Sequence, residues 1–252
     1  MDDVKSNKDQ SGKEAESFLS TKNIPFRERL IFAMDVSSVE EAKTLVGKLG
    51  DSVMFYKLGL QLFMAGGYFE FIEWLRERGK KVFVDLKFFD VPQTVKSAVM
   101  QLKNRGAYFV TVHGNDKILE AAVEHKDGMK ILAVTVLTSL DEGDLKDLGF
   151  QCNVEDLVFS RAKRALAIGC DGVISSGLEV SRLRRGLGEQ LLLVAPGIRP
   201  VKNVDDQKRT VDVRDAFLNG ADYIVVGRPI KEAKDPQTAA EEIQKIICLL
   251  FK

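Results

Sequence analysis

Lys81-Val-Phe-Val-Asp-Leu-Lys-Phe-Phe-Asp-Val-Pro-Gln-Thr94 reads as one strand, one loop and the first turn of a helix. Its opening run, Lys81–Lys87, is rich in β-branched and aromatic residues, and an amphipathic stretch succeeds it. The same alternation recurs from about Arg29 onward. Strand patterns lie at Leu30–Asp35, Met54–Leu58, Tyr108–His113, Ile131–Leu137, Gly172–Ser175, Leu191–Pro196 and Asp222–Gly227. Each is followed by a helical pattern, such as Val39–Leu49, Tyr68–Arg78 or Val154–Ile168, and Thr238–Leu250 closes the chain. Seven repeats fit between Asp35 and Gly227, 192 positions apart, or about 27 residues each, close to the minimum for strand, loop, helix and loop. Eight such units predict an α/β protein of the (β/α)8 TIM-barrel type in a single domain. A doubly wound open sheet is the competing architecture and carries a Gly-rich fingerprint after its first strand. Here that strand ends Ala33-Met-Asp-Val-Ser-Ser38, without glycine.

The chain has 252 residues, enough for one large barrel, and its 37 Lys plus Arg balance 37 Asp plus Glu. A neutral chain lacks the long-range field that draws in nucleic acid or an acidic membrane, so neither is expected as a partner. Cys152, Cys170 and Cys248 lie far apart without a C-x-x-C pair, which suggests free thiols rather than a disulfide framework or a zinc site. No signal-peptide core or membrane-length apolar run is visible, and a cytoplasmic location is expected. Residues 1–24 are polar and read as a dispensable extension, either a mobile tail or a short helix on the body, ahead of a barrel domain at 25–252.

Barrels build function where strands end. The strand ends here carry Asp35, Lys57, Asp85 and Lys87 with Asp90 just beyond, then His113, Thr138, Ser175 with Ser176, Arg199 after Pro196-Gly197, and Gly227-Arg228. Residues two apart share a strand face, so Asp85 and Lys87 point the same way, opposite to Val84, Leu86 and Phe88. The pair is either a buried salt bridge that stabilises little or part of a site. Flanking carboxylates favour the ammonium form of Lys87, which disfavours a Schiff-base nucleophile. A cationic lysine instead stabilises a forming carbanion and gives it a proton, with a second carboxylate beside a departing carboxyl group. Gly227 and Arg228 after strand eight and Arg199 after strand seven suit a phosphate.

Other residues take plainer roles. His113 is expected to be structural, and His125 solvated on a polar helix. Phe63, Phe69, Phe71 and Trp74 read as helix core packing. Lys126 to Lys130 and Arg182 to Arg185 read as solvated helix ends. No ligand set has metal spacing, so no metal is implied.

Asp85-Leu-Lys-Phe-Phe-Asp-Val-Pro-Gln-Thr94 closely resembles the D-x-K-x-x-D-[IV]-P-x-T signature of the orotidine 5′-monophosphate decarboxylases. The resemblance extends in order through Phe32-Ala-Met-Asp35, Tyr56-Lys-Leu-Gly59, Thr111-Val-His-Gly114 and Ala133 to Ser139. It continues through Ala195-Pro-Gly-Ile-Arg-Pro200, Asp206-Gln-Lys-Arg209 and Val226-Gly-Arg-Pro229. It implies decarboxylation of orotidine 5′-monophosphate to UMP, without a cofactor. By the same resemblance, Lys87 is the proton donor to C6 and Asp85 lies beside the departing carboxylate. Asp35 and Lys57 hold the ribose hydroxyls and extend the charge network, and Thr138 touches the pyrimidine. Arg199, Gln207, Gly227 and Arg228 bind phosphate. Asp90 and Thr94 enter the partner's site in a homodimer. Phe89 and Gln93 depart from the commoner histidine and asparagine. Two rivals remain: a magnesium-dependent sister group acting on keto-sugar or hexulose phosphates, and a nucleotide-binding sensor without turnover.

Overall fold

The computed structural model describes residues 17–199 and 211–252. Within them, strands β1 (Leu30–Ala33), β2 (Phe55–Gly59), β3 (Lys81–Phe88), β4 (Ala107–His113), β5 (Lys130–Val134), β6 (Gly172–Ile174), β7 (Leu192–Pro196) and β8 (Tyr223–Val226) pair in chain order. All pairings are parallel, and β8 returns to β1 through Leu30↔Ile224 and Phe32↔Val226, closing the expected TIM barrel. The outer helices are α1 (Val39–Leu49), α2 (Leu60–Met64), α3 (Tyr68–Glu77), α4 (Pro92–Gln101), α5 (Asp116–Val123) and α6 (Glu142–Asp147). They continue with α7 (Val154–Ile168), α8 (Val180–Leu187), α9 (Val213–Leu218), α10 (Arg228–Lys231) and α11 (Pro236–Phe251).

Local chemistry sets these boundaries. The Ser38 hydroxyl accepts the Glu41 N–H to start α1, and the Asn153 side chain does the same from Asp156 for α7. Two strands stop earlier than the sequence pattern suggests, β1 at Ala33 rather than Asp35 and β5 at Val134 rather than Leu137. Past Val134 the Thr135 hydroxyl donates to the Ile174 carbonyl, so side chains begin to replace the ladder at the barrel mouth.

Period-two alternation divides the core into two layers. Phe55, Phe83, Phe109 and Tyr223 fill the barrel interior, with the Phe109 and Tyr223 rings edge to face at 5.1 Å. Phe32, Tyr56, Val84, Val110 and Ile224 point outward to the helices. Burial of each such side chain contributes about 1.5–3 kcal/mol.

The N-terminal floor corrects two expectations. Arg184, expected on a solvated helix end, is 4% exposed because it shares the inward stripe of α8 with Val180 and Leu183. Its guanidinium pairs with the fully buried Asp222, which also accepts bonds from the Ser20 hydroxyl, the Lys22 ammonium and the Leu193 N–H. Residues 17–24 are therefore neither a free tail nor a helix: Phe18 N–H donates to the Leu218 carbonyl and Ser20 is buried against Asp222.

Smaller corrections follow the same logic. Lys126 pairs with Asp171 at 2.9 Å, and Met129 beside it is buried. His125 is half-buried, its Nδ1 3.3 Å from the Ala121 carbonyl oxygen. Phe71 belongs to the core, whereas Phe63 stays 38% exposed because α2 lies at the barrel rim.

Candidate active site

The strand ends converge on a cleft of about 320 Å³ at the C-terminal mouth. From β1, β2 and β3 it receives Asp35, Lys57, Asp85 and Lys87. The segments after β5, β7 and β8 supply Thr138, Arg199, Gly227 and Arg228.

The four charged groups alternate in sign. Lys57 Nζ lies 3.5 Å from Asp35 Oδ1 and 3.2 Å from Asp85 Oδ2, and Lys87 Nζ donates to both Asp85 oxygens at 2.9 Å. Burial of Asp85 would raise its carboxyl, yet the Lys57 and Lys87 ammonium groups and hydrogen bonds from Lys87 and Thr111 outweigh burial and hold it below the usual carboxylate range. Gross attraction at such distances is about 5 kcal/mol per pair at an effective dielectric of 20, and desolvation offsets most of it. The arrangement therefore fixes where charge sits rather than stabilising the fold.

Lys87 has a special backbone. Its φ is +48°, a region that side-chain-bearing residues enter at a cost of about 1–2 kcal/mol. Val84 pairs with Val110 and Phe88 with Val112, so Asp85, Leu86 and Lys87 together face Thr111 alone. That bulge bends the strand and aims Lys87 into the cleft. Thr111, fully buried, accepts the Lys87 N–H at 3.0 Å and donates its hydroxyl proton to Asp85 Oδ1 at 2.9 Å. A survey of strand ends misses Thr111 because it lies inside β4. The sequence marks it only as the head of the Thr111-Val-His-Gly114 segment and as a polar residue two after Phe109, with no role attached.

At the β8 end, a Cβ on Gly227 would come within 3.2 Å of the Ala33 Cβ, so the close approach of β8 to β1 here favours glycine. Gly197 likewise follows β7 with φ +76°. Lys231 of α10 donates to the Asp35 carbonyl at 2.9 Å, linking this corner to the charged row. Arg199 N–H donates to the Val211 carbonyl at 3.2 Å. Gln207, with Asp206, Lys208 and Arg209, lies outside the described residues.

Asp90 and Thr94 are not gathered into the cleft. Both are exposed, and the Asp90 carboxylate accepts the neighbouring Val91 N–H at 2.6 Å. Around them the rim after β2 and β3 is apolar, with Met64 79%, Phe89 64% and Val91 62% exposed. His113 is also absent from the cleft lining and packs against the Phe89 ring at 4.3 Å. Burial, and then the nearby Arg161, lower its imidazole below the ordinary value. Among the described residues, no group of three or more His, Cys, Asp or Glu side chains is arranged to hold a metal ion.

Comparison with known proteins identifies the family. Residues 28–243 match the family model described as orotidine 5′-phosphate decarboxylase / HUMPS family. The orotidine 5′-phosphate decarboxylase of Methylococcus capsulatus is 63% identical over 237 residues, covering 93% of this chain and 98% of its own. That of Nitrobacter winogradskyi is 49% identical over 86% of this chain and 91% of its own. The crystal structure of orotidine 5′-phosphate decarboxylase from Lactobacillus acidophilus superposes with a TM-score of 0.79 at 35% identity, covering 87% of this chain and 99% of that one. With the model spanning residues 28–243 and relatives matching over most of their length, the chain belongs to the orotidine 5′-phosphate decarboxylase / HUMPS family.

Proposed function

We propose that the protein is a carboxy-lyase that converts orotidine 5′-monophosphate to UMP and CO₂, the last step of de novo UMP synthesis, as a cytoplasmic homodimer without a cofactor. The observation that carries it is the Lys87 ammonium, held by Asp85 at 2.9 Å in a cleft that also receives Gly227 and Arg228. In the reaction the bond from C6 to the carboxylate breaks and leaves its electron pair on C6. Lys87 Nζ stabilises that charge and donates a proton to it, and the neutral amine regains a proton from solvent. Asp85 stands beside the departing carboxylate, orients Lys87 and disfavours the substrate's negative charge.

Asp35 and Lys57 hold the ribose hydroxyls, and Thr138 touches the pyrimidine. Gly227 offers backbone approach, and Arg199, Arg228 and Gln207 offer side-chain donors to the phosphate. Difficult reactions need about 8–23 kcal/mol of barrier reduction, more than one lysine supplies, so binding energy from phosphate and ribose must hold the charged row in place. The exposed Asp90 and Thr94, with the exposed apolar Phe89 and Val91 on either side of Asp90 in sequence, suit insertion into the mouth of a second copy.

The sister reaction on keto-sugar phosphates uses a magnesium ion. Against it, Lys57 Nζ bridges Asp35 and Asp85, the two cleft carboxylates that would otherwise serve such an ion. The test is CO₂ release and UMP formation by purified protein with EDTA present. Undiminished turnover supports the nucleotide reaction; UMP binding without turnover indicates a sensor, and activity only on keto-sugar phosphates with magnesium indicates the sister chemistry.

A further inference from the structure

We infer that Thr111 is a positioning residue for the decarboxylation: its one buried hydroxyl fixes the bulged backbone of Lys87 and the carboxylate of Asp85 together, and so sets the proton donor against its counter-charge. The inference rests on the roles proposed above for Lys87 and Asp85.

The hydroxyl is used twice, and each use has a forced direction. A backbone N–H only donates, so Thr111 Oγ1 accepts from Lys87 at 3.0 Å. An ionised carboxylate only accepts, so the Thr111 proton goes to Asp85 Oδ1 at 2.9 Å. One oxygen atom therefore defines the offset between a main-chain point on Lys87 and a side-chain point on Asp85, the two residues whose ammonium and carboxylate meet at 2.9 Å.

The fold makes this need acute at Lys87. Three residues of β3 face the single residue Thr111 of β4, so the regular ladder is interrupted there and the Lys87 N–H takes a side-chain acceptor instead. The positive φ of Lys87 has to be held by its surroundings. Thr111 has no exposed surface, so bulk water does not reach the hydroxyl to replace it. Valine at this position preserves shape and removes both bonds. Serine loses a methyl group and retains both.

The test compares Thr111→Val, Thr111→Ser and Thr111→Ala by kcat on orotidine 5′-monophosphate and by UMP affinity. Thr111→Val is expected to lower kcat about 10- to 100-fold, the loss associated with hydrogen bonds to a buried charged group. UMP affinity should stay within about threefold, since the residues assigned to phosphate and ribose are untouched. Thr111→Ser should stay within about threefold of the parent in kcat. Serine and alanine both lose the methyl group, so their ratio isolates the hydroxyl even if the valine protein folds poorly; serine should be at least about tenfold faster. Parental kcat in Thr111→Val, or equal kcat in the serine and alanine proteins, would overturn the inference. Lys87→Ala run alongside separates the two levels: an inactive Lys87→Ala with a fully active Thr111→Val removes only the role of Thr111, whereas parental turnover by Lys87→Ala removes the roles of the pair as well.

Discussion

Replacing Asp222 with alanine should cost stability and spare catalysis. Asp222 has no exposed surface and accepts from Ser20, Lys22, Arg184 and the Leu193 N–H under the barrel floor. Removing one partner of a buried pair costs about 3–5 kcal/mol. The lower end applies here, because Arg184 retains the carbonyls of Gly220 and Leu191 and Lys22, 20% exposed, can turn to solvent. For a chain of 252 residues, an unfolding entropy of about 0.5 kcal/mol per kelvin converts about 3 kcal/mol into a Tm lower by about 6 °C. Circular-dichroism melts at pH 7 measure it, and kcat/KM of the folded variant at 25 °C should stay within about twofold, since Asp222 precedes β8 while Gly227 follows it. A Tm change below about 2 °C, or lost activity at unchanged Tm, would refute this account of the floor. Deleting residues 1–22 removes Ser20 and Lys22 but leaves Arg184 on Asp222, so a smaller fall is expected.

Arg228→Ala should reduce kcat/KM for orotidine 5′-monophosphate by at least about 100-fold, although the side chain is assigned to the phosphate and not to the reacting carbon; steady-state kinetics check it, and an unchanged value removes the phosphate assignment. Mixing inactive Lys87→Ala and Asp90→Asn proteins should restore about a quarter of parental activity, because half the dimers at equal ratio are mixed and each rebuilds one of two sites; no recovery under exchange argues against a shared site. His113 contributes pH dependence. Its imidazole is held below the ordinary value by burial and then Arg161, so the unfolded chain binds the proton first as pH falls. Stability from the neutral ring is full above about pH 6.5 and declines below it until the lowered folded value is passed. Tm measured between pH 7 and pH 5 should fall less steeply in His113→Gln, and an unchanged slope would contradict the assignment.

The strand ends were legible because a parallel barrel turns one-dimensional alternation into a ring, bringing Asp35, Lys57, Asp85 and Lys87 to one mouth. Alternation also sends Phe83 inward and Val84 outward, as the two core layers show. What escaped was set by pairing across the chain. Arg184 sits at helix spacing on a buried stripe, but its counter-charge Asp222 is 38 positions away, and no local pattern links them. Thr111 lay inside a strand, and the bulge that makes it useful depends on the register of β3 against β4. The positive φ of Lys87 likewise follows from that bulge, since lysine carries no preference for it. The polar composition of residues 1–24 as a whole suggests a tail or a surface helix, whereas Ser20 and Lys22 are drawn under the floor by one buried carboxylate.

The central claim is that the Lys87 ammonium protonates C6 as CO₂ departs. Turnover of orotidine 5′-monophosphate by the parent and by Lys87→Ala, with EDTA present and CO₂ and UMP both followed, tests it most directly. Fast, EDTA-insensitive turnover by the parent that vanishes in Lys87→Ala, with UMP still bound, is the expected result. Comparable turnover by the two proteins, or none by the parent, would contradict it.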